Sequence, residues 1–439
     1  MTSSDNKNMI PTTIQQLASI PKPELLAHGL IFLAFYTLFF NDLFGFEGAL
    51  AGLLLYAITL KFTHYKHSRI EFRPHEKAVM GAIGFYLVML IASNLINAND
   101  PERIYELANK YSKVLYFIGL VFILKLIRFD LPKFEAFIQV MAYAILITLA
   151  IEVALHGLSS HLGSIFSNKG TGAWFFSSVM FATIFLGIEK HTQNSSHALH
   201  YAVLSLLLLL VIILTSTRSI WLSSFITLII LMPLAIKHYS LLNFLTPKKL
   251  FFVFTMVIIV LTLTHNKLWP RFEQAASDIE KMAEGEYYSS LGLRVVMYKI
   301  SLEGFTQNSI SGIGEANYPQ AMQNIYQSKR EEPNAHVYRK IAQFKQPHNQ
   351  FLMEAWTKGI LGLLAIVLMF LVPLKLFAHM LKDPRIKVIA LTGIAFLINS
   401  FVFFLFGAVL TYSHGIVFFM LWLILLIFTA NNTQPASKH

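Results

Sequence analysis

Apolar blocks, each about as long as a bilayer is thick, recur along this chain, and they limit its fold more than any other feature. A hydrocarbon core of about 30 Å is crossed by roughly twenty apolar residues in α-helix. Such blocks lie at about 25–40, 47–62, 78–96, 114–128, 134–155, 171–188, 199–216, 219–236, 250–265, 351–377, 387–407 and 412–430. Lone strands would leave backbone N–H and C=O groups unpaired in lipid, so each block is expected to be a helix. Charged residues make up only 13% of the 439, about half the share of a soluble domain. The expectation is an all-α integral membrane protein of about twelve transmembrane helices. The fourth block is the shortest and carries Lys125 near its end, where a lysine can snorkel to the interface.

Charge in the connections sets the orientation. One alternate set of connections, with the termini, holds nineteen basic residues, among them Lys61, Lys66, Arg73, Lys77, Arg128, Lys133, Lys190, Lys382 and Arg385. The short connections of the other set hold five: Arg103, Lys110, Lys113, Lys169 and Arg218. The positive-inside rule puts the richer set, and with it both termini, in the cytoplasm. The net charge of +11 is thus used for topology, and no nucleic-acid partner is expected. The first 24 residues are polar and lead into a full span, so no cleaved signal peptide is expected.

The chain then divides into membrane helices one to nine (1–265), a large loop on the non-cytoplasmic side (266–350), helices ten to twelve (351–430) and a cytoplasmic tail (431–439). Within the loop Phe272, Ala275, Ala276, Ile279, Met282 and Ala283 recur at helical spacing. Leu293, Val296 and Ile300 do the same, as do Tyr318, Met322, Ile325 and Tyr326. Two or three amphipathic helices packed on the membrane domain are expected.

Several chemistries are absent. The chain has no cysteine, hence no thiolate or zinc–cysteine site. It has no G-x-x-x-x-G-K-[ST] loop, no H-E-x-x-H and no D-x-D pair, and Gly312-Ile-Gly314 lacks the third glycine of a dinucleotide motif, so it reads as a turn. The span interiors are nearly free of ionisable residues, unlike those of ion-coupled carriers.

Three features remain, all on the outer side. Ser216-Thr217-Arg218-Ser219-Ile220-Trp221 fills a very short connection. Arg218 there is either an interfacial anchor beside Trp221 or, at a helix N-terminus capped by Ser216 or Thr217, part of an anion site. Pro347-His348-Asn349-Gln350-Phe351-Leu352 is where the loop re-enters the membrane, with His348 expected in the first helical turn. That imidazole is either one of several solvated histidines or a base for a hydroxyl near neutral pH. Gly292-Leu293-Arg294 opens a loop helix that also carries Tyr298, and Arg294 is either a solvated charge or a guanidinium able to fork onto phosphate.

In this order, T-S-T-R-S-I-W, a loop with G-L-R and G-I-G, then H-N-Q-F-L-M-E-A-W-T-K-G-I-L-G-L, the chain resembles the O-antigen ligases of the O-antigen ligase and polymerase superfamily. The resemblance implies a metal-independent, inverting glycosyltransferase with no cofactor. Such ligases move O-antigen from an undecaprenyl-diphosphate-linked donor to a lipid A–core acceptor, at the periplasmic face of a Gram-negative inner membrane, in lipopolysaccharide biosynthesis. It implies His348 as base for the acceptor hydroxyl and Arg218 and Arg294 on the donor diphosphate, with Asn349, Trp221 and Tyr298 in support. Lys267, Arg271, Lys299, Arg330 and Arg339 would add to an anion-attracting field. An O-antigen polymerase is the nearest alternative, and a twelve-helix carrier or flippase is the alternative from another class. A related protein O-oligosaccharyltransferase would typically carry a further domain after the last span.

Overall fold

The computed structural model describes residues 22–38, 46–66, 70–98, 101–156, 169–239 and 247–433. Those residues are helical throughout, with short connections and no strand among them. Nine helices are long and apolar enough to cross a membrane among the described residues: Pro74–Ile96, Ile104–Leu126, Leu131–Leu155, Gly170–Thr192, His197–Leu214, Arg218–Tyr239, Gln350–Met380, Lys387–Phe404 and Ser413–Thr433. The chain is a multi-pass membrane protein. The other three expected spans also fall on helix, at α1 (Lys22–Thr37), α2 (Phe46–Thr63) and the first part of α10 (Pro247–Ala283). Residues 39–40, at the end of the first expected span, lie outside the described residues, as do most of the expected tail (434–439) and the side chain of Lys267.

The expected short fourth span is longer than its apolar block. Helix begins at α4 (Pro101–Ser112), tightens into a 3₁₀ turn at Lys113–Tyr116 and continues as α5 (Phe117–Leu126). Lys125 does not snorkel. Its ammonium pairs at 2.6 Å with the buried carboxylate of Glu76, in the first turn of α3 (Pro74–Ile96), and Glu76 also accepts from Asn431 at 2.7 Å.

The centre of the bundle is α7 (Lys169–Thr192), α15 (Lys387–Phe404) and α16 (Ser413–Thr433), which bury most of their surfaces; α6 (Leu131–His156), α8 (His197–Leu214) and α9 (Arg218–Tyr239) pack around them. Lipid tails are as apolar as leucine, so burial alone gives these helices little reason to associate; close packing and interhelical hydrogen bonds must do it. Trp174 supplies both. Its ring stands edge-on to Phe418 with centroids 4.8 Å apart and stacks on Phe396 at 5.7 Å, and its indole N–H donates to Ser400 at 2.9 Å. Asn399 ties three helices together, donating to Ser177 and accepting from Ser223, each at 2.7 Å. On α3 Val88, Ile91 and Leu95 are exposed while Tyr86, Leu90 and Ser93 are buried, which is a lipid-facing stripe opposite a packed one.

Between α10 and α14 (Gln350–Met380) the loop folds as α11 (Ser290–Gln307), a 3₁₀ turn at Glu315–Asn317, α12 (Tyr318–Ser328) and α13 (Ala335–Ile341). Helix α11 starts cleanly because the Ser289 side chain accepts from Gly292 N–H at 3.1 Å. Leu293, Val296, Ile300, Tyr318, Met322 and Ile325 form a small core with Met353 and Trp356 of α14. The apolar stripe expected over 272–283 does not join it, since α10 simply runs on as helix and leaves Phe272 and Ile279 exposed.

Candidate active site

Helix α14 is broken one third of the way along, and the break positions the site. Gly359 has φ +67°, ψ −162° inside the helix, a conformation costly for any residue with a Cβ. The carbonyls and N–H groups freed by the break are met by the Gly312-Ile-Gly314 turn. Ile313 N–H donates to Trp356 O at 3.1 Å, Gly314 N–H to Thr357 O at 2.8 Å, and Ile360 N–H to Ser309 O at 2.8 Å. Gly312, at φ +66°, lies so close that a Cβ there would stand 2.2 Å from the Thr357 carbonyl carbon. The end of α3 joins them through Ser93, which donates to Thr357 O at 2.6 Å. The turn is therefore a docking element for the loop.

Beneath this junction lies a chain of buried charges that sequence reading missed. Glu315 accepts from Lys110 at 3.0 Å, Lys358 at 3.2 Å and the Tyr111 hydroxyl at 2.6 Å. Lys358 also pairs with Glu354 at 2.8 Å, and Glu354 accepts from Tyr86 and Gln350. Burial pushes the Glu315 carboxyl up, but Lys110 and Lys358 outweigh it and hold it down to about 2. The expectation of nearly charge-free span interiors fails here, because both members of the Glu354–Lys358 pair are fully buried within α14. Their i, i+4 spacing was the available signal.

His348 does not sit in the first turn of α14 as expected. It lies just outside, before the N-cap Asn349, whose side chain accepts from Leu352 N–H at 3.0 Å. His348 holds φ +56°, a left-handed conformation that a non-glycine residue keeps only under constraint. The constraints are visible. The Tyr298 hydroxyl stands 3.1 Å from His348 O and 2.7 Å from Leu405 O, the Phe344 ring meets the imidazole edge-on at 5.2 Å, and Gln346 bonds both backbone and ring. Burial, reinforced by the charge of Arg294, pulls His348 down to about 4, so the ring is neutral at pH 7.

Arg294 and Tyr298 are one turn apart on α11 and face this corner. Burial, together with the charge of Arg218, lowers the Arg294 pKa against the opposing pull of Tyr298, so Arg218 lies within electrostatic reach of Arg294. At the start of α9, Arg218 donates to Arg271 O at 3.4 Å and to Gln274 Oε1 at 3.3 Å, and Arg271 donates to the same Gln274 oxygen at 3.2 Å. Among the described residues none of Arg218, Arg271 and Arg294 forms a salt bridge, although the Asp278 carboxylate attracts Arg218 from further away. The expected cap of α9 is also missing, because Thr217 turns its hydroxyl back onto Thr215 O at 3.4 Å and Ser216 adopts φ +56°. Trp221 lies one turn further along α9 than Arg218. Its indole N–H donates to Ile212 O at 3.0 Å and braces the α8–α9 hairpin. Lys299 lines a separate cavity of about 420 Å³ between α11, α12 and α13, on the opposite face of α11 from Arg294. Among the described residues no three His, Asp or Glu side chains gather as metal ligands.

A polytopic helical bundle that sets one half-buried guanidinium beside a neutral imidazole, with two more reaching toward it and none of them in a salt bridge among the described residues, is suited to hold an anion next to a group that exchanges protons. Residues 203–367 match the model of the O-antigen ligase family, and Arg218, Arg294 and His348 all fall within that segment. The match supports an O-antigen ligase-type protein, and with it a general transferase role. The chain is also similar to an uncharacterized protein of Haemophilus influenzae, 24% identical over 387 residues that cover 84% of this chain and 90% of the relative.

Proposed function

We propose that the chain is an O-antigen ligase, transferring O-antigen polysaccharide from undecaprenyl diphosphate to lipid A–core without a metal. The observation that carries this reading is Arg294 beside neutral His348, with Arg218 in electrostatic reach of Arg294 and Arg271 in reach of Arg218. A diphosphate leaving group gains negative charge as its bond to C1 breaks, and fixed guanidiniums stabilise that charge most where it is largest. The acceptor hydroxyl forms the new bond from the opposite face of C1, inverting it, and its proton passes to His348. Tyr298 and Asn349 position the imidazole. A polymerase would share every one of these parts and differ in its acceptor.

Helix ends support a twelve-span topology with the loop on the periplasmic side. The loop bonds to Ser93 and Asn97 at the end of α3, Lys110, Arg218 and Leu405, all at one end of the bundle. Helix α9 leaves that end and α14 begins at it, so the first part of α10 must cross back. Glu24, near the start of α1, bonds to Tyr65 and Lys133 at the opposite end, while Glu47 at the start of α2 pairs with Lys113 at the loop end. Helices α1 and α2 then cross as well. The basic connections lie at the end away from the loop, which makes that side cytoplasmic. In this reading 1–265 and 351–430 form the membrane domain and 266–350 its periplasmic cover.

The test is His348→Ala expressed in a strain lacking its own ligase. The variant is expected at normal membrane abundance with core lipopolysaccharide that carries no polysaccharide ladder. A normal ladder would remove His348 from the reaction and this reading with it.

A further inference from the structure

We infer that Gln346 is a positioning residue that decides which imidazole nitrogen of His348 carries the proton, and that it holds the proton on Nε2 for as long as its amide stays against the ring. The inference rests on the reading of His348 as base. Gln346 is buried, and its side chain makes two bonds to one neighbour. Its Oε1 accepts the backbone N–H of His348 at 2.5 Å. A backbone N–H only donates, so the atom facing it must be the amide oxygen. The other amide atom is then the NH₂ group, 3.1 Å from His348 Nδ1, and it donates there. With the Nδ1 lone pair engaged, the neutral ring carries its proton on Nε2.

The left-handed backbone at His348 is part of the same device, since residues 346 and 348 close a tight ring of two hydrogen bonds around that turn. The titratable group that acts on the imidazole is Arg294 of α11; Tyr298, from the same helix, donates to the backbone carbonyl of His348. Phe344 adds a ring edge, and among the described residues no carboxylate acts on it. Among the described residues, Gln346 is the side chain that hydrogen-bonds to the His348 ring.

The consequence concerns catalysis. A base for the acceptor hydroxyl needs a free lone pair on the accessible nitrogen, and in this arrangement Nε2 has none to offer. Nε2–H instead donates to an oxygen, such as that of a bound diphosphate or hydroxyl. The ring becomes a base when the Gln346 amide withdraws from Nδ1, since a turn in place would set its NH₂ against the backbone N–H of His348. One proton then leaves Nε2 and one enters Nδ1, with no net change in charge. Gln346 thereby keeps the ring from acting as base until the site rearranges around substrate.

Two substitutions separate this from a merely structural role. In Gln346→Glu the carboxylate can only accept, so it favours Nδ1–H and adds a negative charge beside the ring. In Gln346→Leu the donor to the neutral ring is removed. With purified enzyme in detergent, undecaprenyl-diphosphate-linked O-antigen and lipid A–core, the acid limb of kcat/KM against pH is expected near pH 4 for the native protein. It should move up by about 1–3 pH units in Gln346→Glu, and in the same direction by less in Gln346→Leu. An acid limb that stays in place in both variants, with only the rate reduced, overturns the inference. A histidine-¹⁵N difference spectrum against His348→Ala provides a readout that does not need turnover. It should show Nδ1 unprotonated in the native protein and protonated in Gln346→Glu, and an Nδ1 already protonated in the native protein refutes the lock. An active His348→Ala would instead defeat the base reading itself, whatever the Gln346 variants do.

Discussion

Glu315→Gln isolates what fastens the loop to the membrane domain. The substitution keeps the side-chain shape and one acceptor oxygen but removes the charge that faces both Lys110 and Lys358. Those two ammoniums hold the carboxyl at about 2 rather than its ordinary 4.5, even though burial alone would raise it. At about 1.4 kcal/mol per pKa unit, that shift corresponds to roughly 3 kcal/mol of stability at neutral pH. The sign follows from a depressed folded-state pKa: the contribution is fully present above about 4.5 and is lost as pH falls toward 2. Unfolding of the purified protein in detergent should therefore show Glu315→Gln about 3 kcal/mol less stable at pH 7. The gap should narrow as the native protein is acidified below pH 4.5. Glu332→Gln is the control, because its pair with Lys329 is exposed on both sides and screened by water, so little stability should be lost. If the two variants lose the same small amount, the buried network is not what holds the loop, and this account of the docking is wrong.

Arg294→Lys should lower transfer by roughly tenfold to a hundredfold, since a point-charge ammonium cannot make the forked bonds worth about 1.5–3 kcal/mol; an in vitro ligation assay at unchanged protein level checks it. Arg218→Lys should act in the same direction, and native-level transfer by both would refute the diphosphate assignment. Gly312→Ala combines φ +66° with a Cβ 2.2 Å from Thr357, so limited proteolysis should find the loop undocked and transfer lost. Because the chain lacks cysteine, Gln327→Cys and Lys66→Cys can each be probed with a membrane-impermeant maleimide in cells whose outer membrane has been made permeable. Labelling at 327 and not at 66 is expected, and the reverse would invert the topology.

What the sequence shows plainly is what lipid enforces. Among the described residues the twelve apolar blocks fall on helix, because a backbone in hydrocarbon has no other way to satisfy its polar groups, and that constraint is written in composition alone. The loop helices were legible for a related reason, since Leu293, Val296, Ile300, Tyr318 and Met322 keep helical spacing and do share a core. The same pattern over 272–283 misled. Periodicity shows that a helix has an apolar face, and it does not show whether protein or lipid covers that face.

The site was legible as residue types and not as geometry. Arg218, Arg294 and His348 stand out through the motifs that hold them, yet Arg271 is one among many loop charges and Gln346 looks like an ordinary loop residue. Their bonds to Arg218 and His348 span 53 positions in one case and two in the other, and neither distance carries a periodic signal. The Glu354–Lys358 pair was hidden by the run it sits in, because α14 reads as one uninterrupted span. Only the break at Gly359 shows why two charges are tolerated there. The helix ahead of the break is a separate segment whose carbonyls belong to the loop, and the charges lie at that joint between loop and membrane domain. Loop docking and catalytic geometry are thus one structural problem. The segment that bonds to Gly312-Ile-Gly314 is the same one that begins one residue after the His348–Asn349 pair, so any motion of the loop is carried directly to the imidazole.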